Sequence, residues 1–140
     1  MFQKVLVPVD ILEPAFAAKA IESVESILKA SGGEVRLIYV SQVITPMAGE
    51  FLPPSYDEEA RAEAQKKLDE MAAKLPLDKG KVSAVLRIGG IYHEVLDEAK
   101  SCGADLIVVG SHHPSMATYL LGSNAANIVR HAQCSVLVVR

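Results

Sequence analysis

Three groups in this chain of 140 residues have the types and spacing to handle an anion. The first is Gly122-Ser123-Asn124, directly ahead of Ala125-Ala126-Asn127-Ile128-Val129. A glycine lets backbone approach a bulky ligand, and Ser and Asn offer side-chain groups beside the free amides of a first helical turn. Phosphate suits such an entrance best. The second is Gly110-Ser111-His112-His113-Pro114, which follows the apolar run Leu106 to Val109. The third is Pro8-Val9-Asp10, which closes a β-rich run beginning at Lys4. Asp10 suits either of two tasks, capping a following helix or touching a ligand. Adjacent histidines on extended backbone point to opposite sides, so His112 and His113 do not form a joint metal site, and His93 and His131 are not spaced to assist them.

These groups need elements to position them. Lys4 to Val9 reads as a strand. A helix follows from about Glu13 to Ala30, with Pro14 in its first turn and an apolar stripe of Ala17, Ala20, Ile21, Val24, Ile27 and Leu28. Glu34 to Val40 is the second strand. Residues Ser41 to Tyr56 carry three prolines and a glycine among apolar residues, which predicts a long excursion with buried anchors. Asp57 to Leu75 reads as the most regular helix, capped by Asp57 and striped by Ala60, Ala64, Leu68, Met71 and Leu75. Lys81 to Ile88, Leu106 to Val109 and Val136 to Val139 are further strands, and Ile91 to Lys100 and Ser123 to His131 further helices. Gly89-Gly90 either turns strand into helix or borders the ligand.

Strands alternating with helices predict an α/β fold: a single doubly wound parallel sheet with helices on both faces, residues 1–140 forming one nucleotide-binding domain. In such sheets ligands sit outside the carboxyl ends of the strands, where the strand order reverses. Those ends are Asp10, Val40, Ile88-Gly89 and Gly110-Ser111-His112. Topology therefore leads to the same segments as the phosphate-binding pattern.

Composition agrees and excludes other classes. Half the residues are hydrophobic and Trp is absent, so the core is aliphatic, and a chain of this length buries about 70% of its unfolded surface. The net charge is −3 and the basic residues are scattered, which argues against nucleic acid as a partner. No apolar run approaches the ~20 residues of a membrane span, and no leader pattern precedes the first strand. The two cysteines, Cys102 and Cys134, form no metal or redox spacing. They read as buried free thiols in a reduced, cytoplasmic protein. There is no G-x-x-x-x-G-K-[ST], no G-x-S-x-G and no G-x-G-x-x-G, so P-loop, serine-hydrolase and dinucleotide chemistries lack their signatures.

The ordered set K-V-L-V-P-V-D, G-A-D-L-I-V-V-G-S-H, L-L-G-S-N-A-A-N-I-V-R-H-A and S-V-L-V-V-R resembles the universal stress protein (UspA) superfamily along nearly the whole chain. Through S-H-x-P-x-x-x-T-Y-L-L-G-S-N-A it is most similar to the F/G-type ATP-binding branch. The resemblance implies a five-stranded, Rossmann-like parallel sheet in the order 3-2-1-4-5 and a homodimer joined through the C-terminal strand. It implies ATP as the ligand, with Mg2+, and a stress-response role exerted through a protein partner that the sequence does not name. The family's G-x2-G-x9-G-[ST] maps onto Gly110, Gly122 and Ser123. His113 stands where the middle glycine would be, and the last stretch is one residue short, both as in the F/G type. Asp10, with Pro8 and Val9 leading to it, would contact the nucleoside near the ribose or the Mg2+. Val40 would read the adenine edge, with Ile88 and Gly89 as the far wall. Gly110, Ser111 and His112 would lie by the ribose and phosphates. Gly122, Ser123 and Asn124 would hold the phosphates, joined by Ser135. Catalytic residues are not implied, and turnover, if any, would be slow. Two other readings stay open: a nucleotide-free dimeric interaction module, and a slow adenine-nucleotide phosphotransferase or ATPase.

Overall fold

Val5, Leu6 and Val7 are wholly buried, and their alternation decides the architecture. Side chains along a strand point to opposite faces. Val5 and Val7 join one aliphatic cluster and Leu6 joins another, so the first strand has a packed layer on each side. The computed structural model describes residues 2–41, 56–111 and 122–140. In chain order the elements are β1 (Lys4–Pro8), α1 (Ala18–Ser31), β2 (Glu34–Ser41), α2 (Tyr56–Ala73), β3 (Val82–Ile88), α3 (Ile91–Cys102), β4 (Leu106–Gly110), α4 (Ser123–His131) and β5 (Ser135–Val139). The expected excursion falls on residues 42–55, outside the described residues.

The strands form one sheet in the order β3-β2-β1-β4-β5, and every neighbouring pair is parallel. This is the α/β doubly wound arrangement expected. Val24 and Leu28 of α1 and Leu68 of α2 pack with Val5, Val7, Val35, Leu37 and Val108 on one face. Val95 and Ala99 of α3 and Ala125 and Ile128 of α4 pack with Leu6, Ile38, Ile107 and Val109 on the other. The central strands β1 and β4 are covered on both sides, which explains why they read as unbroken apolar runs.

Two helices differ from their expected form. Pro14–Ala17 is a 3-10 turn, and the α-helix starts only at Ala18. In α2 the stripe is narrower than its sequence suggests: Leu68 is fully buried, Met71 and Ala64 are half-buried, and Ala60 is exposed. Beyond Tyr56, the helix's first half offers nothing apolar larger than alanine, so burying it would gain little. Both cysteines are free but only half-buried, and burial pushes the Cys134 thiol up. Among the described residues no helix is long and apolar enough to cross a membrane.

Asp105 ties β4 to the start of β1. Its Oδ2 accepts from the Gln3 N–H at 2.9 Å and its Oδ1 from the Lys4 N–H at 3.0 Å. Burial raises its pKa, but the backbone donors of Gln3 and Lys4 outweigh that, and the carboxyl titrates below its ordinary value. A carboxyl depressed in the folded state adds stability above its unfolded pKa and loses it as pH falls through the folded pKa. Asp105→Ala should therefore cost about 1–2 kcal/mol at neutral pH, and the gap from wild type should shrink under acid. Urea unfolding at both pH values checks this. An equal gap at both would mean that the carboxylate's charge plays no part.

Candidate functional site

β1 and β4 are neighbours in the sheet, but the chain leaves them toward opposite layers. After β1 it runs to α1 on one face, and the helix following β4, α4, lies on the other. Two strands whose connections diverge leave a gap at their carboxyl ends. A cleft of about 340 Å³ opens there, lined by Pro8, Val9 and Asp10 from the end of β1, Val109, Gly110 and Ser111 from β4, and Gly122, Ser123, Asn124 and Ala125 from α4. Phe16, Ile91 and Ile128 complete it. Its volume lies in the ordinary range for small-molecule sites.

Its polar end is built by backbone. Ser111 is buried; its N–H donates to the Val139 carbonyl at 3.0 Å, and its own carbonyl accepts from the Gly122 N–H at 2.8 Å. The second bond ties the start of α4 to the end of β4. Gly122 is the N-cap of α4, with φ −61° and ψ 155° and no side-chain cap bond. That conformation is open to any residue, so no turn demands glycine there. Among the described residues, a Cβ at Gly122 would meet only the Ser111 carbonyl oxygen, at 3.8 Å. The helix's first amides lack intrahelical partners, and Gly122 has no side chain to cover them.

Asp10 caps neither helix. Its Oδ1 accepts from the Leu12 N–H at 2.9 Å and its carbonyl from the Glu13 N–H at 3.3 Å, so it braces the turn that leads into Pro14–Ala17. Tyr39 is held above its ordinary pKa by burial first and by the Asp10 charge second. Asp10 is the one titratable side chain among the described residues lining the cleft. The described residues hold no cluster of three or more His, Cys, Asp or Glu side chains suited to a metal. Among the described residues, a divalent ion here would find one carboxylate and otherwise its ligand's own oxygens, an arrangement usual for Mg2+.

Of the expected site residues, Pro8, Val9, Asp10, Gly110, Ser111, Gly122, Ser123 and Asn124 share this cleft. Val40, Ile88 and Gly89 lie at the same edge of the sheet but do not line the cleft. They close β2 and β3, where the Gly89 N–H donates to the Ser41 carbonyl at 2.9 Å. Ser135 is a correction. It begins β5 opposite Leu106, whereas Gly110 lies opposite Val139. In a parallel sheet that puts Ser135 at the amino edge, four residues and about 13 Å from the cleft end. His112 and His113 lie outside the described residues. His93 and His131 line a separate groove with Lys100 and Cys134.

Sequence reasoning missed Phe16. A Cβ on Gly110 would stand 3.4 Å from Phe16 Cζ, so the ring rests over the strand end. Its signal was present: a lone aromatic six residues after Asp10, at the edge where ligands gather. Val109 and Ile128, which are buried, and Ile91, which is half-buried, form the apolar wall.

The same plan appears in known proteins. A sequence model of the universal stress protein family matches residues 1–140. Universal stress protein G of Escherichia coli O157:H7 is 32% identical over 143 residues, covering 100% of both chains. A hypothetical protein solved as a test case for structure-based assignment of biochemical function superposes with a TM-score of 0.81 at 28% identity, over 99% of this chain and 96% of that one. The universal stress protein from Archaeoglobus fulgidus in complex with dAMP gives a TM-score of 0.69 at 17% identity, over 99% and 98% of the two chains; at that identity the likeness concerns the fold. This chain belongs to the universal stress protein family.

Proposed function

We propose that this chain binds ATP with Mg2+ in the cleft between β1 and β4, and that it acts as a homodimeric, nucleotide-dependent regulator in the stress response. The carrying observation is Gly122. It lines the cleft at the N-cap of a nine-residue helix, its backbone does not need glycine, and no described atom fills its side-chain space. A phosphate approaching the uncapped amides of Ser123, Asn124 and Ala125 would use that space. The apolar wall of Phe16, Ile91 and Ile128 suits a base and ribose, and Asp10 suits the ribose hydroxyls or the ion. The dAMP-bound relative of the same fold accords with an adenine nucleotide. The unpaired thiols of Cys102 and Cys134 fit a reducing, cytoplasmic setting. The protein partner is to be sought as one that distinguishes nucleotide-bound from empty dimer.

Bound Mg2+ would neutralise phosphate charge. The chain's own part is to orient the phosphates at α4 and to hold the base against apolar side chains. Among the described residues Asp10 is the one titratable side chain lining the cleft, and one of its oxygens accepts from the Leu12 N–H, which favours binding over turnover. Titration calorimetry of nucleotide-free protein with MgATP should give micromolar affinity, about −8 kcal/mol. Hydrolysis should stay far below the roughly 1–100 s⁻¹ of kinases. No heat and no thermal shift at millimolar ATP would leave the nucleotide-free interaction module as the better account. Turnover above about one per second would make the protein an enzyme.

A further inference from the structure

Of the helices that begin at the ligand-bearing edge of the sheet, α3 and α4 share one face, and their amino ends differ. Both N-caps are glycines without a side-chain cap, Gly122 for α4 and Gly90 for α3. By the helix-dipole argument each should attract an anion. The first turn of α3, however, contains Glu94, and its side chain folds back over the residue before the cap. A Cβ built on Gly89 would stand 3.1 Å from Glu94 Cγ and 3.2 Å from Glu94 Oε2. Gly89 has φ +143°, a conformation reserved for glycine, and the missing side chain leaves room for the carboxylate.

That carboxylate is held in place. Arg87 Nη1 donates to Glu94 Oε1 at 3.2 Å and Arg87 Nε to Glu98 Oε1 at 3.0 Å. Glu98, with a side chain 6% exposed, accepts from Arg36 Nη1 at 2.7 Å through its other oxygen. Arg36 Nε is anchored in turn on Ser83 Oγ at 3.1 Å. The chain runs from β2 through the buried Glu98 to Glu94 and fixes one negative charge beside the amino end of α3. Ile91, the first residue of that helix, lines the cleft.

We propose that Glu94 is a specificity-determining residue: its carboxylate closes the amino end of α3 to anions, so that of these two helices α4 receives the phosphate and the uncharged part of the ligand lies toward α3. The direction of the ligand rests on the nucleotide reading above; the closure of α3 does not. Glu94 reaches no reacting atom and acts by position. A purely structural ion pair would stabilise α3 without governing where anions bind.

The test is an amide NMR titration with inorganic phosphate on wild type, Glu94→Gln and Glu94→Ala. Glutamine keeps the bulk and an acceptor for Arg87 while removing the charge, so it serves if the alanine variant folds poorly. In wild type, phosphate should shift the amides of Ser123 to Ala125 and leave those of Ile91, Tyr92 and His93 unmoved. In both variants the α3 amides should respond at a phosphate concentration about tenfold or more below any wild-type response, since a fixed charge within a few ångströms is removed. A wild-type response at α3, or variants that stay silent there, would overturn the proposal. Variants that gain the α3 response while α4 is silent in every protein would retain the closure by Glu94 and sink the nucleotide reading instead.

Discussion

Gly122→Val is expected to weaken MgATP binding by at least about 100-fold, roughly 3 kcal/mol, with an unchanged circular dichroism spectrum. The two halves of this expectation have separate physical grounds. The fold should survive because φ −61° and ψ 155° are comfortable for a β-branched residue, and because the nearest described atom to the new Cβ lies 3.8 Å away. Glycine contributes no side-chain cap that valine could remove. Binding should fail because the two added methyl groups enter the space beside the amides of Ser123 and Asn124 that a phosphate would use. Calorimetry on both proteins checks it, and retained micromolar affinity would place the phosphates elsewhere. Asp10 allows a graded comparison. Asp10→Asn keeps an acceptor for the Leu12 N–H and removes only the charge, so it should weaken binding about 10-fold, nearly 1.4 kcal/mol. A loss equal to that of Gly122→Val would mean that the nucleoside or ion end dominates.

Why these positions were legible in the sequence is a question of topology and backbone. The alternation of apolar runs and amphipathic segments leaves few ways to close a parallel sheet, and it directs Asp10, Gly110 and Gly122 to one edge before any contact is known. Val5-Leu6-Val7 and Leu106 to Val109 announce burial on both faces by being unbroken. Ser135 shows the limit. Its place beside a family motif suggested the phosphates, yet a residue that starts a parallel strand must lie at the edge opposite the one where ligands bind. Phe16 shows another limit: a 3-10 turn rather than an α-turn carries it, and the choice between the two is made by tertiary packing. The Arg36–Glu98–Arg87–Glu94 chain was invisible because its members come from β2, β3 and α3, and no periodicity in one segment reports a charge matched by three. The stripe of α2 failed for the opposite reason, since alanines at helical spacing mark a face that can be buried without making its burial worthwhile.

Val138→Pro is expected to convert a wild-type dimer into a folded monomer. β5 is an edge strand, with Leu137 37% exposed in the run Ser135–Val139. An apolar edge with open backbone groups invites pairing with another chain, and the same strand of a second copy, related by a two-fold axis, satisfies both edges at once. The Val139 carbonyl accepts from the Ser111 N–H, so Val139 turns its polar groups inward, toward β4. Successive residues of a strand alternate in this respect, so Val138 turns its N–H outward, to the open edge. Proline at 138 therefore removes a donor from the contact between chains and leaves the β4–β5 ladder its own bonds; edge strands tolerate proline for this reason. Light scattering should show a dimer for wild type at tens of micromolar, about the demand of a contact of ~1,200–2,000 Å², and a monomer for the variant with little change in its unfolding midpoint. A wild-type monomer at that concentration would end the dimer reading. A variant that unfolds without dissociating would mean that β5 is needed by its own sheet more than by a partner.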